Sequence, residues 1–409
     1  MARPNVTIKT VDESMVAPIG ESTSTTRGAM ISQAGLITDL GNTAEKASHL
    51  MVIEDLGSWY SKLRTYAEAQ LVAAGFVGAT LYGAIGVSAG GYIDSNNSAT
   101  RKPWHQEWWA MNNFLQYGGV GILGHTTDSM SSIIASTQVF DVMFQGGTAA
   151  SYATNVATVV ETKKLTDTPC LGVLFNGVTA DSASMTRAAG GTDEFYVHVW
   201  GRKYHLNSFG NGTTDDSALI LSNLTPDVAG CMARTDRENY AWTSPAGRRR
   251  GRILNVVRLE TNPTATQQDY IYDSGINPVV TFPGEGTILF GDKTGASETS
   301  SLSRINVSRM FIYLRKVIAP IARAVLFELN DATTQARFRL AADGVLRGVL
   351  AAGGITDYRI ICDSTNNTPA NVQSRIFTAD ILVKPTISIN FVRITFTNKN
   401  LQSNLNAGT

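Results

Sequence analysis

The chain has little of what most catalytic or nucleic-acid-binding proteins carry. Its 409 residues include three cysteines, Cys170, Cys231 and Cys362, too few and too far apart for a disulfide framework or a metal knuckle. That usage fits synthesis in a reducing cytoplasm. The five histidines, His49, His105, His125, His198 and His205, are scattered, and Asp215-Asp216 and Asp363 lack metal-ligand spacing. No metal and no cofactor is expected. An excess of either charge is missing too: Lys plus Arg and Asp plus Glu both number 34. Zero net charge removes the long-range repulsion that keeps soluble proteins apart, and it speaks against a direct nucleic-acid partner. Met1-Ala2-Arg3-Pro4 is not followed by an apolar run, so no secretory signal is expected.

The longest charge-free stretch, Leu71 to Ile93, has the length of a membrane span. It carries Gly75, Gly78, Gly83, Gly86, Gly90 and Gly91 and few large aliphatics, which insertion into lipid disfavours. A helix end followed by a buried strand, Ala79 to Val87, is expected instead, and no membrane insertion.

What is present is the composition of a folded protein, 43% hydrophobic and 17% charged. A polar stretch from Gly20 to Met30 reads as a linker. From about Met51 to Gly210, helical patterns at Ser58–Gln70, Pro103–Tyr117 and Ser151–Lys164 alternate with strand-length runs at Leu81–Val87, Val120–Leu123, Cys170–Phe175 and Phe195–Trp200. A second block begins near Ala218. Thr225 is placed as an N-cap ahead of Pro226, and strands are expected at Ile253–Leu259, Thr287–Phe290 and Tyr358–Cys362. From Ser303 onward Val307, Phe311, Leu314, Ile318, Ile321 and Val325 fall on one helical face, with Pro320 expected to kink or split the helix. Another helix is expected over Ala332–Leu350. The fold class is therefore α/β (α+β).

Several motifs tempt and fail. Gly86-Val87-Ser88-Ala89-Gly90 matches a nucleophile elbow, but a turn-like Gly91-Tyr92-Ile93-Asp94 follows where a helix is required, and neither His198 nor His205 is marked as a base. Gly119-Val120-Gly121-Ile122-Leu123-Gly124 has dinucleotide-loop spacing, yet a helix precedes it and a strand runs through it, the reverse of what a pyrophosphate site needs. Arg248-Arg249-Arg250-Gly251-Arg252 reads as a solvated loop or a docking loop for an acidic protein. Trp104 and Trp108, four apart on one helix, read as packing residues.

The ends of the chain are more telling. Thr386 to Thr397 alternates like a strand, as does Asn5-Val6-Thr7-Ile8-Lys9-Thr10. Val6 and Ile8 share one side, as do Ile387, Ile389 and Phe391, whereas Val392, Ile394 and Phe396 continue in the opposite phase, predicting a bulge near Val392. Strands at both termini suggest a protein that joins copies of itself by adding strands to its neighbours' sheet edges.

From about Pro226 on, an ordered string of motifs resembles the tail sheath proteins of contractile phage tails and related injection machines. It begins with Pro226-Asp227-Val228-Ala229-Gly230-Cys231-Met232-Ala233-Arg234-Thr235-Asp236-Arg237-Glu238 and Trp242-Thr243-Ser244-Pro245-Ala246-Gly247. Gly275-Ile276-Asn277-Pro278, Phe282-Pro283-Gly284-Glu285-Gly286 and Phe290-Gly291-Asp292-Lys293-Thr294 follow. Ile305-Asn306-Val307-Ser308-Arg309-Met310-Phe311, Phe327-Glu328-Leu329-Asn330-Asp331 and Cys362-Asp363-Ser364-Thr365-Asn366-Asn367 complete it. The resemblance implies a non-enzymatic subunit of a virion tail, polymerised around a rigid tube, with a strand-exchange arm at 1–20, a variable outer domain at 21–215, an inner sheath domain at 216–385 and a second arm at 386–409. It implies as partners neighbouring sheath subunits, the tail tube protein, and baseplate and tail terminator proteins, with synthesis in the host cytoplasm. Arg309, Lys316 and Arg323, seven apart, are expected to meet an acidic tube. Two other readings stay open: another self-assembling protein, capsid- or surface-layer-like, and a serine hydrolase built on Ser88.

Overall fold

The computed structural model describes residues 26–33, 35–48, 50–94, 100–125, 139–166, 168–177, 187, 191–207, 219–296 and 300–389. An eight-stranded sheet organises most of them. From edge to edge it runs Gly286–Leu289, Asn277–Phe282, Tyr196–Trp200, Leu171–Phe175, Val142–Phe144, Arg27–Ser32, Val120–His125 and Leu50–Ile53. The six inner strands pair in parallel, and only the two outermost pairings are antiparallel. Inner strands covered on both faces read as unbroken apolar runs, as in Leu171-Gly172-Val173-Leu174 and Tyr196 to Trp200, all buried. The helices His105–Leu115, Ala150–Lys164 and Thr225–Glu238 pack against this sheet.

The spacing of glycines in Gly119-Val120-Gly121 has a packing cause. A methyl group on Gly28 or on Gly119 would lie 2.4 Å from Phe114 Cζ, so these strands admit the His105–Leu115 helix only where side chains are missing. Its own Trp108 and Trp109 are buried, as are Trp59 and Trp104.

A second core lies under Trp242, Leu302, Phe311, Phe338, Leu346 and Ile381, roofed by the helix Ala332–Ala351 and a two-stranded antiparallel sheet, Ile355–Ile361 with Asp380–Pro385. A third, small sheet joins Arg202–Leu206 to Leu219–Asn223 and Arg258–Leu259.

Five expectations are corrected. Gly20–Met30 is not a linker throughout, because Arg27–Ser32 is an inner strand, buried from Gly28 onward. Leu81–Val87 is not a strand: Gly78–Ile93 is a helix, with Leu81, Ile85, Ala89 and Ile93 four apart and facing inward, a period that the glycines between them disguise. Thr225 is the first helical residue rather than the cap, and it donates its hydroxyl to Asn223. Ile253–Leu259 reduces to the two residues Arg258–Leu259. Pro320 neither splits nor ends its helix, which spans Ile305–Arg323; its ring forfeits the one bond an N–H there would make to the Lys316 carbonyl, and the helix runs on for three more residues. The division at 215/216 also cuts one sheet, since Asn277 and Pro278 pair with Val199 and Trp200. The two large cores meet instead near residue 300.

Candidate functional site

The helix Ile305–Arg323 belongs to both cores. Val307, Met310, Phe311, Leu314 and Ile318 make one stripe, set into the second core. Ile305 and Ile312, seven apart on the opposite side, reach the core of the large sheet. Arg309 and Lys316 share that second stripe, because four- and seven-residue steps return to the same side of an α-helix. The two cations expected to face a tube are therefore turned into the subunit, a correction with a plain cause: the helix has two buried faces, and only one shows in its apolar periodicity. Arg323, its last residue, is exposed.

Each inward cation meets a carboxylate that also grips the start of the described chain. Arg309 Nη2 pairs with Asp236 Oδ2, the two side chains 5% and 7% exposed, and the same oxygen accepts the hydroxyl of Thr26. Lys316 Nζ donates to Asp141 Oδ1 at 2.7 Å and to the Phe140 carbonyl at 3.0 Å. The other oxygen of Asp141 accepts the Arg27 amide at 3.0 Å, and the Asp141 amide returns a bond to the Arg27 carbonyl at 2.8 Å. Arg315 donates to the carbonyls of Lys164 and Thr166, which end the Ala150–Lys164 helix, and Ser308 donates to Glu194 O.

The two carboxylates feel opposite balances. Burial pushes Asp236 up, and the Arg309 guanidinium offsets this only in part. Burial also acts upward on Asp141, but the Lys316 ammonium and the Arg27 amide outweigh it and hold the carboxyl below its ordinary value.

The far end of the described chain is held at the first turn of the same helix. Asn306 Nδ2 donates to the Thr386 carbonyl at 3.2 Å and to Trp242 O at 3.3 Å, while the Thr386 amide donates to Gly354 O at 3.1 Å. Ser388 donates to Asp292, whose own carbonyl accepts the amide of Ile305 at 2.8 Å. Regular strand stops at Pro385; Ile387 and Ile389, expected in a terminal strand, lie beyond it with 56% and 84% of their surface exposed. Val6, Ile8, Phe391, Ile394 and Phe396 fall outside the described residues.

Among the described residues, the sheet next to this exit has two strands. Ile381 and Val383 point into the second core, and among the described residues no third strand lies along either outer edge. Two strands alone make a marginal sheet with unpaired amides and carbonyls on both sides.

The other expected chemistry does not assemble. Ser88 sits inside the Gly78–Ile93 helix rather than at a strand-to-helix turn, and His205 is bonded to Ser222, so the hydrolase geometry is not met. Among the described residues no three His, Cys, Asp or Glu side chains are grouped to hold a metal, and no helix is long and apolar enough to cross a membrane. Arg248 to Arg250 lie in one helical turn, Arg248 and Arg249 exposed, with Arg248 3.2 Å from Glu285, and Arg250 half-buried and donating to the Ser244 carbonyl.

Sequence reasoning missed Thr26, Asp141 and Ser388 at these junctions. Asp236, Asn306 and Arg309 were visible in it, inside the two motifs Arg234-Thr235-Asp236 and Ile305-Asn306-Val307-Ser308-Arg309, without any sign that they meet.

Known proteins resemble this chain in sequence and in fold. A family model described as the phage tail sheath protein central domain matches residues 109–295, and one described as the phage tail sheath C-terminal domain matches residues 297–399. The division between them falls where the two cores meet. The tail sheath protein of Enterobacteria phage T4 is 43% identical over 173 residues, which are 42% of this chain and 26% of that protein. That of Salmonella phage ViI is 37% identical over 169 residues, 41% of this chain and 27% of its own. The chain thus matches about a quarter of the length of these relatives. Among solved structures, the helical sheath of the anti-feeding prophage in its contracted state has a TM-score of 0.66 at 15% identity, covering 98% of this chain and 100% of that one. The contracted PVC sheath complex of an extracellular contractile injection system also has a TM-score of 0.66, at 16% identity, covering 98% and 99%. At such identities the likeness is one of fold.

Proposed function

The chain belongs to the phage tail sheath family, and on that footing we propose that it is the repeating, non-enzymatic subunit of a contractile sheath that polymerises around a rigid tail tube. The observation that carries the reading is the sheet Ile355–Ile361/Asp380–Pro385, two-stranded and open on both edges among the described residues, beside a chain segment that leaves it with Ile387 and Ile389 exposed. An open edge of this kind is completed by strands from adjacent copies: the segment around Val6 and Ile8, and the segment from Ile387 through Phe391, Ile394 and Phe396. Each added strand makes several backbone hydrogen bonds, each contributing a net ~1 kcal/mol, and buries apolar side chains as well. Links of that size persist while whole subunits rotate.

Contraction then repacks subunits as rigid bodies from a trapped extended state, and the terminal segments serve as hinges. The work comes from subunit packing and drives the tube through the target envelope. Baseplate, tail terminator and tube proteins are the remaining partners, in a virion tail made in the host cytoplasm or in a cell-encoded injection device. Of the three cations first assigned to the tube, Arg323 keeps the role.

Electron microscopy of the purified full chain tests this. Hollow, transversely striated cylinders are expected; closed shells or flat sheets support a capsid- or surface-layer-like protein instead. Chains lacking residues 1–20 or 390–409 are expected to stay folded monomers.

A further inference from the structure

We propose that Asp141 and Asp236 are positioning residues for the N-terminal connector, and that the Ile305–Arg323 helix ties the two connectors of a subunit into a single strut. The inference rests on the sheath reading given above and extends it to named residues.

The geometry is specific. Thr26 and Arg27 are where the chain enters the described fold, and each is held by a carboxylate whose second partner is a cation on this helix: Thr26 by Asp236 with Arg309, Arg27 by Asp141 with Lys316. Thr386 and Ser388, where the chain leaves, are held by Asn306 of the same helix and by Asp292, the residue whose carbonyl receives the helix's first amide. Asn306 and Lys316 are separated by roughly 15 Å along the helix axis. Both exits are thereby fastened within three turns of one helix, and no flexible loop intervenes between the two fastenings.

A pull on one connector passes through side-chain hydrogen bonds to a helix that is wedged between two cores, and from there to the other connector. The angle between incoming and outgoing strands is then a property of the helix, and it stays constant from subunit to subunit. Without the carboxylate grips, Thr26 loses its bond to Asp236 and the Arg27 amide its bond to Asp141, at the start of a strand, where strands fray first.

Three variants of the full chain test the proposal: Lys316→Met, Lys316→Arg and Asp141→Asn. The Lys316–Asp141 pair is chosen because it is less enclosed than Arg309–Asp236, with side chains 12% and 34% exposed. Hydrogen exchange of the unassembled subunit is followed at residues 27–30 and, as an internal reference, at Leu171–Phe175. For Lys316→Met and Asp141→Asn the expected result is about tenfold faster exchange at 27–30 with an unchanged reference. Their polymers are expected to lose a uniform axial repeat, and Lys316→Arg to restore both. Unchanged exchange at 27–30, or equal acceleration in the reference strand, overturns the proposal. If Lys316→Met fails to fold, Asp141→Asn decides the matter alone. A wild-type chain that forms no regular tube defeats the sheath reading, whereas the exchange comparison on single subunits still judges the grip.

Discussion

Asp236 and Arg309, 73 positions apart in the chain, form an ion pair with side chains 7% and 5% exposed. Taking two charges out of water is costly, so such a pair is a net stabiliser only relative to its halves. Arg309→Met or Asp236→Leu alone, each leaving a lone buried charge, is expected to destabilise the subunit by about 3–5 kcal/mol. The double variant is expected to cost clearly less than the sum, as read from urea unfolding of the four proteins. Additive costs would mean that the two side chains are not coupled.

Acid should act through His205. Its Nδ1 donates to the Leu206 carbonyl and its Nε2 accepts from the Ser222 hydroxyl, the arrangement of a neutral ring. Burial, helped by the nearby Lys203 charge, brings it down to about 3 from an ordinary 6.5. The unfolded chain binds a proton here that the fold refuses, so the stability is whole above pH 6.5 and drains away as pH falls toward 3, at up to about 1.4 kcal/mol per pH unit. His205→Gln should be less stable at pH 8 yet show a shallower fall in Tm between pH 7 and pH 4. A slope equal to that of the wild type would assign the acid sensitivity elsewhere.

Gly28→Ala and Gly119→Ala would each set a methyl group 2.4 Å from the Phe114 ring. Overpacking of this kind costs about 1–3 kcal/mol. Trimming the ring with Phe114→Leu should return part of that loss, as measured by thermal unfolding, whereas a loss untouched by the second change would point to the backbone instead.

Ile387→Asp and Ile389→Asp alter side chains that are mostly in solvent in the single subunit. Its stability should change by no more than about 0.5 kcal/mol. Polymer yield, by sedimentation and electron microscopy, should collapse if these residues enter a neighbour's sheet, and should hold if they do not.

How much of this could be read from the residues depended on how many sides of an element were buried. The alternation from Pro103 to Trp200 was legible because helices, among them Ala150–Lys164 with its single buried stripe Val156, Val159 and Val160, separate strands that are apolar throughout. The stripe Val307, Phe311, Leu314, Ile318 was legible for the same reason. The opposite stripe was not: Ile305, Arg309, Ile312 and Lys316 mix aliphatic and charged residues, and a cation whose partner lies 73 or 175 positions away looks like a solvated one. The strand Arg27–Ser32 was hidden by polar flanks, since six residues carry too short a period to stand out. The helix Gly78–Ile93 was hidden by its glycines, and the pairing of Asn277 with Val199 across some eighty residues leaves no local trace.

The helix that faces two cores has one more implication. Nearly every position from Ile305 to Ile318 lies against one core or the other, so the helix keeps almost no side on which replacements are harmless, and random drift finds few openings there. The hairpin of Leu56–Ala73 and Gly78–Ile93, whose tip leaves Val72 and Val77 in water, is free of that constraint. Comparison of sister chains should find change crowded into the hairpin tip and nearly absent from Ile305 to Ile318.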